Sequence, residues 1–132
     1  MKVFLQVGSV DEAKTAAEAG VDAIIAQGVE AGGHVKGTVS LSALLPAVVA
    51  AVRPVPVIAS GGIATGRGLV AALSLGAQGI SVGTRFLASE EAFIPPEYKE
   101  RILRSRFCAT RRWQSGRKPV DPSPDTAQAR AR

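Results

Sequence analysis

Apolar and polar positions along the first hundred residues alternate between two regimes. Short aliphatic runs at residues 3–7, 23–26, 57–59 and 78–82 have the length and composition of buried strands. Between them the apolar positions recur at helical spacing, predicting helices over residues 10–19, 41–52 and 67–75. A further helical stretch follows Gly83-Thr84, and Pro95-Pro96 precedes a last helix at residues 97–104. Ser9 followed by Glu12 is a capping-box pattern, and Gly20 and Gly76 close the first and third helices. Pro54 and Pro56 bracket the approach to the third strand. Repeated strand–helix units of this pitch predict an α/β fold with a parallel sheet, either a (β/α) barrel or a doubly wound sheet.

Beyond Phe107 the periodicity ends. Residues 111–132 mix Arg, Pro, Ser, Asp and Gln, a composition that cannot bury enough surface to offset its ordering entropy. The expected organisation is therefore a folded domain over residues 1–107 and a basic, disordered C-terminal tail over 108–132. The charge divides in the same way. Residues 1–98 carry six basic and eight acidic side chains, whereas residues 99–132 carry ten and three. The excess positive charge thus belongs to the tail, where no aromatic platform or reading helix accompanies it. A solvated tail is expected, and no nucleic-acid partner.

With 46% hydrophobic residues and 5% aromatics, the core must be built from Val, Ile, Leu and Ala. The single cysteine, Cys108, excludes an internal disulfide and a cysteine-rich metal site, so no metal is expected. The N-terminal apolar stretch is too short for a signal peptide, and no apolar run reaches about 18 residues. A reducing, cytoplasmic setting without a membrane span is the expectation.

Three segments carry the candidate chemistry. Ala26-Gln27-Gly28-Val29-Glu30-Ala31-Gly32-Gly33-His34-Val35-Lys36-Gly37 directly follows the second strand. That places it at the carboxyl end of the sheet, where barrels build active sites from their βα loops. Gly32-Gly33 removes two side chains ahead of His34, opening the backbone to a planar ligand. Imidazole as a type titrates near about 6.5, which suits His34 to act as a base around neutral pH; an ordinary loop histidine is the other reading. Ser60-Gly61-Gly62 ends the third strand with N–H groups able to converge on an anion. Gly83-Thr84 follows the fourth strand and opens onto a helix start. One glycine turn alone is commonplace, but two at one strand–helix spacing match the phosphate site shared by many barrels.

Together these segments resemble the nitronate monooxygenase family, formerly called 2-nitropropane dioxygenases, over residues 2–99. The Ala-Gln-Gly-x-Glu-Ala-Gly-Gly-His-x-x-Gly run is the selective part; IMP dehydrogenase-like barrels share the two turns without it. The resemblance implies the C-terminal half of a TIM-type (β/α)₈ barrel, about four βα units, with FMN as cofactor. It implies that His34 is the catalytic residue, taking the α-proton of a neutral nitroalkane or contacting its nitro group. Gly32 and Gly33 would lie against the flavin. Gln27 and Gln6 would contact it, Gln6 standing where some relatives have lysine. Ser60, Gly61 and Gly62 would form one side of the phosphate cradle, and Gly83 with Thr84 the other. The implied reaction oxidises alkyl nitronates or nitroalkanes with O₂ to a carbonyl compound and nitrite.

Four strands are half of what a closed barrel needs. In the family a long stretch precedes the position of Lys2 and supplies the other strands; here either a second copy of the chain completes a barrel-like shell or the chain is a truncated gene product. The abrupt Arg-rich change after Arg104 is the pattern a reading-frame disruption would leave. Two other functions fit the residues. One is an FMN-dependent enoyl-acyl-carrier-protein reductase, a family that shares the Ala-Gly-Gly-His segment and both turns. The other is a non-catalytic, degenerate half-barrel. Glu30 either orients the His34 loop or is a surface carboxylate, Arg85 either reaches the phosphate or is exposed, and Asp22 is expected to cap the turn into the second strand.

Overall fold

The computed structural model describes residues 1–104, so the expectations for the tail and for Cys108 lie outside the described residues. The chain runs through β1 (Phe4–Val7), α1 (Val10–Glu18), β2 (Ala23–Gln27), α2 (Leu41–Val52) and β3 (Val57–Ser60). It continues through α3 (Gly66–Ser74), β4 (Gly79–Ser81), α4 (Thr84–Leu87) and α5 (Pro96–Arg104). The four strands form one sheet in the order β1-β2-β3-β4, every pair parallel. This is a four-unit portion of a TIM-type barrel wall.

Local sequence accounts for the elements. The Ser9 side chain accepts the Glu12 N–H at 3.2 Å, and the Glu12 carboxylate takes the Gly8 N–H at 2.7 Å, so the capping box forms one residue wider than its usual reach. Thr65 caps α3 through the Gly68 N–H. Gly20 and Gly76, with φ of 76° and 99°, turn the chain out of α1 and α3 as expected. Pro46 lies inside α2 without ending it. At the amino ends of the strands, Asp22 binds the Val3 N–H and the Lys2 ammonium, each at 2.7 Å, tying β2 to β1. Gln78 does the same for β3 and β4: its Oε1 accepts the Val57 N–H at 2.6 Å.

The helices cover one face of the sheet. Val7, Ile24, Ala26, Val57 and Ala59 point into a core with Ala13 and Ala16 of α1, Leu44, Leu45, Val48 and Val52 of α2, and Ala72 of α3. Strand pleating sends the alternate residues to the other face. There, Gln6, Ile25, Ile58 and Gly79 form one row by register, and Gln27, Ser60 and Ser81 form the row above it. Of the four strands β2 is the most buried, with Ile25 on the inner face only half-buried. Phe4 and Leu5 of β1 are 55% and 44% exposed, and all of β4 is half-buried. Each of these outer strands has a neighbour on one side only, and no described residue covers the inner face over Phe4.

The strand ends differ from the sequence reading by a residue or two. β4 stops at Ser81 because its only neighbour, β3, turns away at Gly61 with φ of 120°. The helical stretch after Gly83-Thr84 amounts to a single turn, α4.

Candidate active site at the carboxyl rim

All four strands end at the same edge of the sheet, and a glycine follows β1, β2 and β3 directly: Gly8, Gly28 and Gly61. Gly83 stands two residues past β4. Contacts between neighbouring loops explain this. A Cβ at Gly8 would sit 2.5 Å from the Gly37 backbone nitrogen, and one at Gly37 would sit 2.5 Å from the Gln27 carbonyl oxygen. Side chains cannot fit there, so the loop after β2 lies directly on the end of β1. On its other flank the same loop meets the β3 turn, where a Cβ at Gly61 would lie 3.0 Å from the Ala31 nitrogen.

The loop between β2 and α2, residues 28–40, carries His34. Gln27 governs its course. At 4% exposure, its side chain donates from Nε2 to the His34 carbonyl oxygen at 3.2 Å and accepts the Lys36 N–H at its Oε1 at 3.0 Å. Both ends of the amide therefore hold the loop backbone, a bracing role distinct from the flavin contact that the resemblance implies. Val29 and Val39 close the base of the loop through a 2.9 Å backbone bond. Gly33 takes φ of 73°, a conformation open to glycine at little cost, and its Cβ direction faces open space. His34 itself is exposed at the rim.

Glu30 fastens the other half of this loop. Its carboxylate accepts the Ser40 hydroxyl at 2.7 Å and the Leu41 N–H at 3.0 Å, supplying the cap that the Ser40 side chain does not give α2. Burial works to raise the Glu30 pKa. Donation from Ser40, from its own backbone and from Leu41 outweighs it and holds the carboxyl below the ordinary glutamate value.

The two glycine turns that the sequence paired are neighbours in space, because Ser60 and Ser81 are register partners at the ends of adjacent parallel strands. Gly61 and Gly62 both have positive φ, 120° and 66°. The N–H groups of Gly62 and Gly83 donate to no other group among the described residues. A Cβ at Gly83 would meet nothing within 4 Å. Bare amides from two adjacent strand tips, with no side chain over Gly83, fit the phosphate end of a flavin nucleotide. The amides carry this fit; α4 is too short for a helix dipole to add much.

Of the residues singled out from sequence, Gln27, Gly32, Gly33, His34, Ser60, Gly61, Gly62, Gly83 and Thr84 belong to this one rim. Gln6 alternates with the buried Val7, so it faces the open side of the sheet one row below Gln27. Arg85 is exposed. Sequence reasoning missed Gly8, Gly28 and Gly37 as close-contact positions, and Ser81 as the neighbour of Ser60. The recurrence of glycine just past the strand ends was the available signal. Among the described residues no group of three or more His, Cys, Asp or Glu side chains is placed to hold a metal, and no helix is long and apolar enough to cross a membrane.

The described residues thus form an open arc of a parallel (β/α) barrel, with two adjacent glycine turns and a histidine loop on one rim. The chain belongs to the nitronate monooxygenase family, whose sequence profile matches residues 1–118. It is 45% identical over 108 residues to a nitronate monooxygenase of Neurospora crassa, covering 76% of this chain and 28% of that one. It is 46% identical over 101 residues to the (3aS,4S,5R,7aS)-5-hydroxy-7a-methyl-1-oxo-octahydro-1H-indene-4-carboxyl-CoA dehydrogenase of Rhodococcus jostii, covering 76% and 28%. Among solved structures, a nitroalkane oxidase of Streptomyces ansochromogenes matches with a TM-score of 0.71 and 37% identity, over 76% of this chain and 31% of that one. A flavin enzyme is also similar: mandelate oxidase, solved with a monooxide FMN adduct, matches with a TM-score of 0.50 and 28% identity over 63% and 27%. The chain spans less than a third of the length of each of these proteins.

Proposed function

We propose that this chain carries the FMN-phosphate turns and the proton-accepting histidine of a nitronate monooxygenase-like oxidoreductase acting on a small nitronate or nitroalkane. The observation that carries the reading is the pair of undonated amides, Gly62 and Gly83, on the same rim as the braced His34 loop. The Gly62 and Gly83 N–H groups bind the phosphate, and Ser60 and Thr84 stand beside them as hydroxyl donors. Gly32 and Gly33 leave the loop backbone bare for a planar ring. When bound, FMN supplies the electron-accepting chemistry of the oxidation. His34 takes the proton from the carbon next to the nitro group, and Gln27 holds that histidine's backbone in place. A base so positioned is worth about 10²–10⁴-fold in rate. The overall reaction consumes O₂ and gives a carbonyl compound and nitrite. A second copy of the chain is the proposed cover for the open inner face.

The deciding experiment compares wild type with His34→Asn. The wild-type chain is expected to copurify with yellow flavin absorbance and to release nitrite from a neutral nitroalkane. His34→Asn keeps the colour and loses that activity. Unchanged nitroalkane turnover in the coloured variant would show that His34 is not the base.

A second reading has its own support. The Rhodococcus jostii relative is named for a CoA thioester and is as similar to this chain as the nitronate monooxygenase. A thioester substrate, in the manner of an FMN-dependent enoyl-acyl-carrier-protein reductase, would show as NAD(P)H consumption with an enoyl thioester and no nitrite from nitronates.

A further inference from the structure

We propose that Glu30 is a positioning residue that holds the His34 loop and the Gly61-Gly62 turn in one fixed relation. The inference rests on the reading above that these two segments serve one site. Three elements meet at this side chain. Its backbone belongs to the loop after β2. Its stem lies over the β3 turn, since a Cβ at Gly62 would come within 3.1 Å of the Glu30 Cβ. Its carboxylate is bonded to the Leu41 N–H and the Ser40 hydroxyl at the start of α2.

α2 is the most deeply packed helix, with Leu45 and Val48 fully buried against the sheet. Glu30 therefore ties both functional segments to a rigid element, and neither can shift along the rim without displacing it. The fit is tight from a third side as well: a Cβ at Gly28 would collide with the Glu30 carboxylate. A Cβ at Gly28 would also strike the Leu41 backbone nitrogen and Cβ, so that glycine is set by α2 as well; the contact over Gly62 is what a residue that merely caps α2 would not need. The consequence for the site is that the spacing between the phosphate amides and His34 is set by one side chain that touches neither ligand nor reacting atom.

Hydrogen–deuterium exchange by mass spectrometry, on the flavin-free chain, tests this without relying on activity. Glu30→Ala is expected to raise exchange about tenfold, the loss of one charged hydrogen bond, in peptides covering both residues 28–40 and 60–66. A rise confined to residues 28–45 would reduce Glu30 to a helix cap and overturn the proposal. If Glu30→Ala does not fold, Glu30→Gln keeps the stem and loses the charge; it should show a smaller rise in the same two regions, and a rise in the first alone overturns. FMN titration followed by flavin fluorescence gives the second readout. Glu30→Ala, which loses both bonds to α2, should weaken FMN about tenfold, while Ser40→Ala, which leaves the bond from Leu41, stays within about twofold. Equal weakening by both variants overturns the proposal. A wild-type chain that binds no flavin counts against the functional reading alone, and the exchange result then decides the role of Glu30.

Discussion

Gly62 answers two demands at once, and they can be separated by mutation. Its φ of 66° lies in the left-handed region, which costs an L-residue roughly 1–2 kcal/mol. The added methyl of Gly62→Ala would also press on Glu30 at 3.1 Å. Gly62→Ala is therefore expected to lower the melting temperature by about 4–8 °C per kcal/mol lost, and to weaken FMN. The two losses are read by thermal unfolding and flavin titration. In a Glu30→Gly background the same substitution should cost less, because the Cβ it would press on is gone and only the conformational part remains; a full cost in both backgrounds would mean the contact contributes nothing. Acid should act on the same spot. The Glu30 carboxyl titrates below its ordinary value in the fold, so its contribution to stability is fully present above the unfolded value and disappears as pH falls through the folded one. Asp22 behaves alike, lowered by the Lys2 side chain first and then by the Val3 N–H. The urea midpoint should decline in that acid window, less steeply in Glu30→Gln. An identical pH profile in the variant would remove Glu30 as a source.

At the scale of elements, helix boundaries were legible because capping chemistry is local. Ser9 and Glu12 announced α1 and formed the expected bonds, one of them displaced to the Gly8 N–H. Ser9→Ala should destabilise by about 1 kcal/mol, measured as a shift in the denaturation midpoint. α2 behaves differently. Its apparent N-cap, Ser40, makes no side-chain bond to the helix backbone, and the cap arrives from Glu30, ten residues earlier. No local pattern encodes that arrangement. The helix holds mainly through its buried face, so Leu45→Ala, at a fully buried position, should cost about 2–5 kcal/mol. A loss below about 1 kcal/mol at that site would mean that the core around Leu45 collapses to fill the space. Gln27 shows the limit of reading a side chain by type. Its place in the motif marks it as functional, but its buried amide spends both hydrogen-bonding ends on the loop.

For the molecule as a whole, the open side of the sheet is the dominant feature. Among the described residues, Phe4, Ile25 and Ile58 lie on a face that no helix covers, and β1 and β4 each lack an outer neighbour. Unpaired edges and uncovered apolar surface favour association. Two copies related by a two-fold axis along the strands would set β4 of one beside β1 of the other, in parallel and twice over, to give eight strands. Sedimentation velocity of the wild-type chain should show a dimer, and Phe4→Glu should shift it to monomer with unchanged far-UV circular dichroism. A flavin-bound wild-type monomer would rule the second copy out as the cover.

By itself the sequence determined the alternation of elements, the parallel sheet and the identity of the rim residues. These follow from hydrophobic period, capping pairs and glycine placement, all of which act within a few neighbours along the chain. Only the tertiary structure decided which face stays open and which glycines avoid backbone collision. It also showed the Gln27 amide and the Glu30 carboxylate bonded to the loop after β2 and the start of α2. Those outcomes depend on how the loops after adjacent strands stack on one another, and the atoms that meet there are separated by tens of residues in the chain.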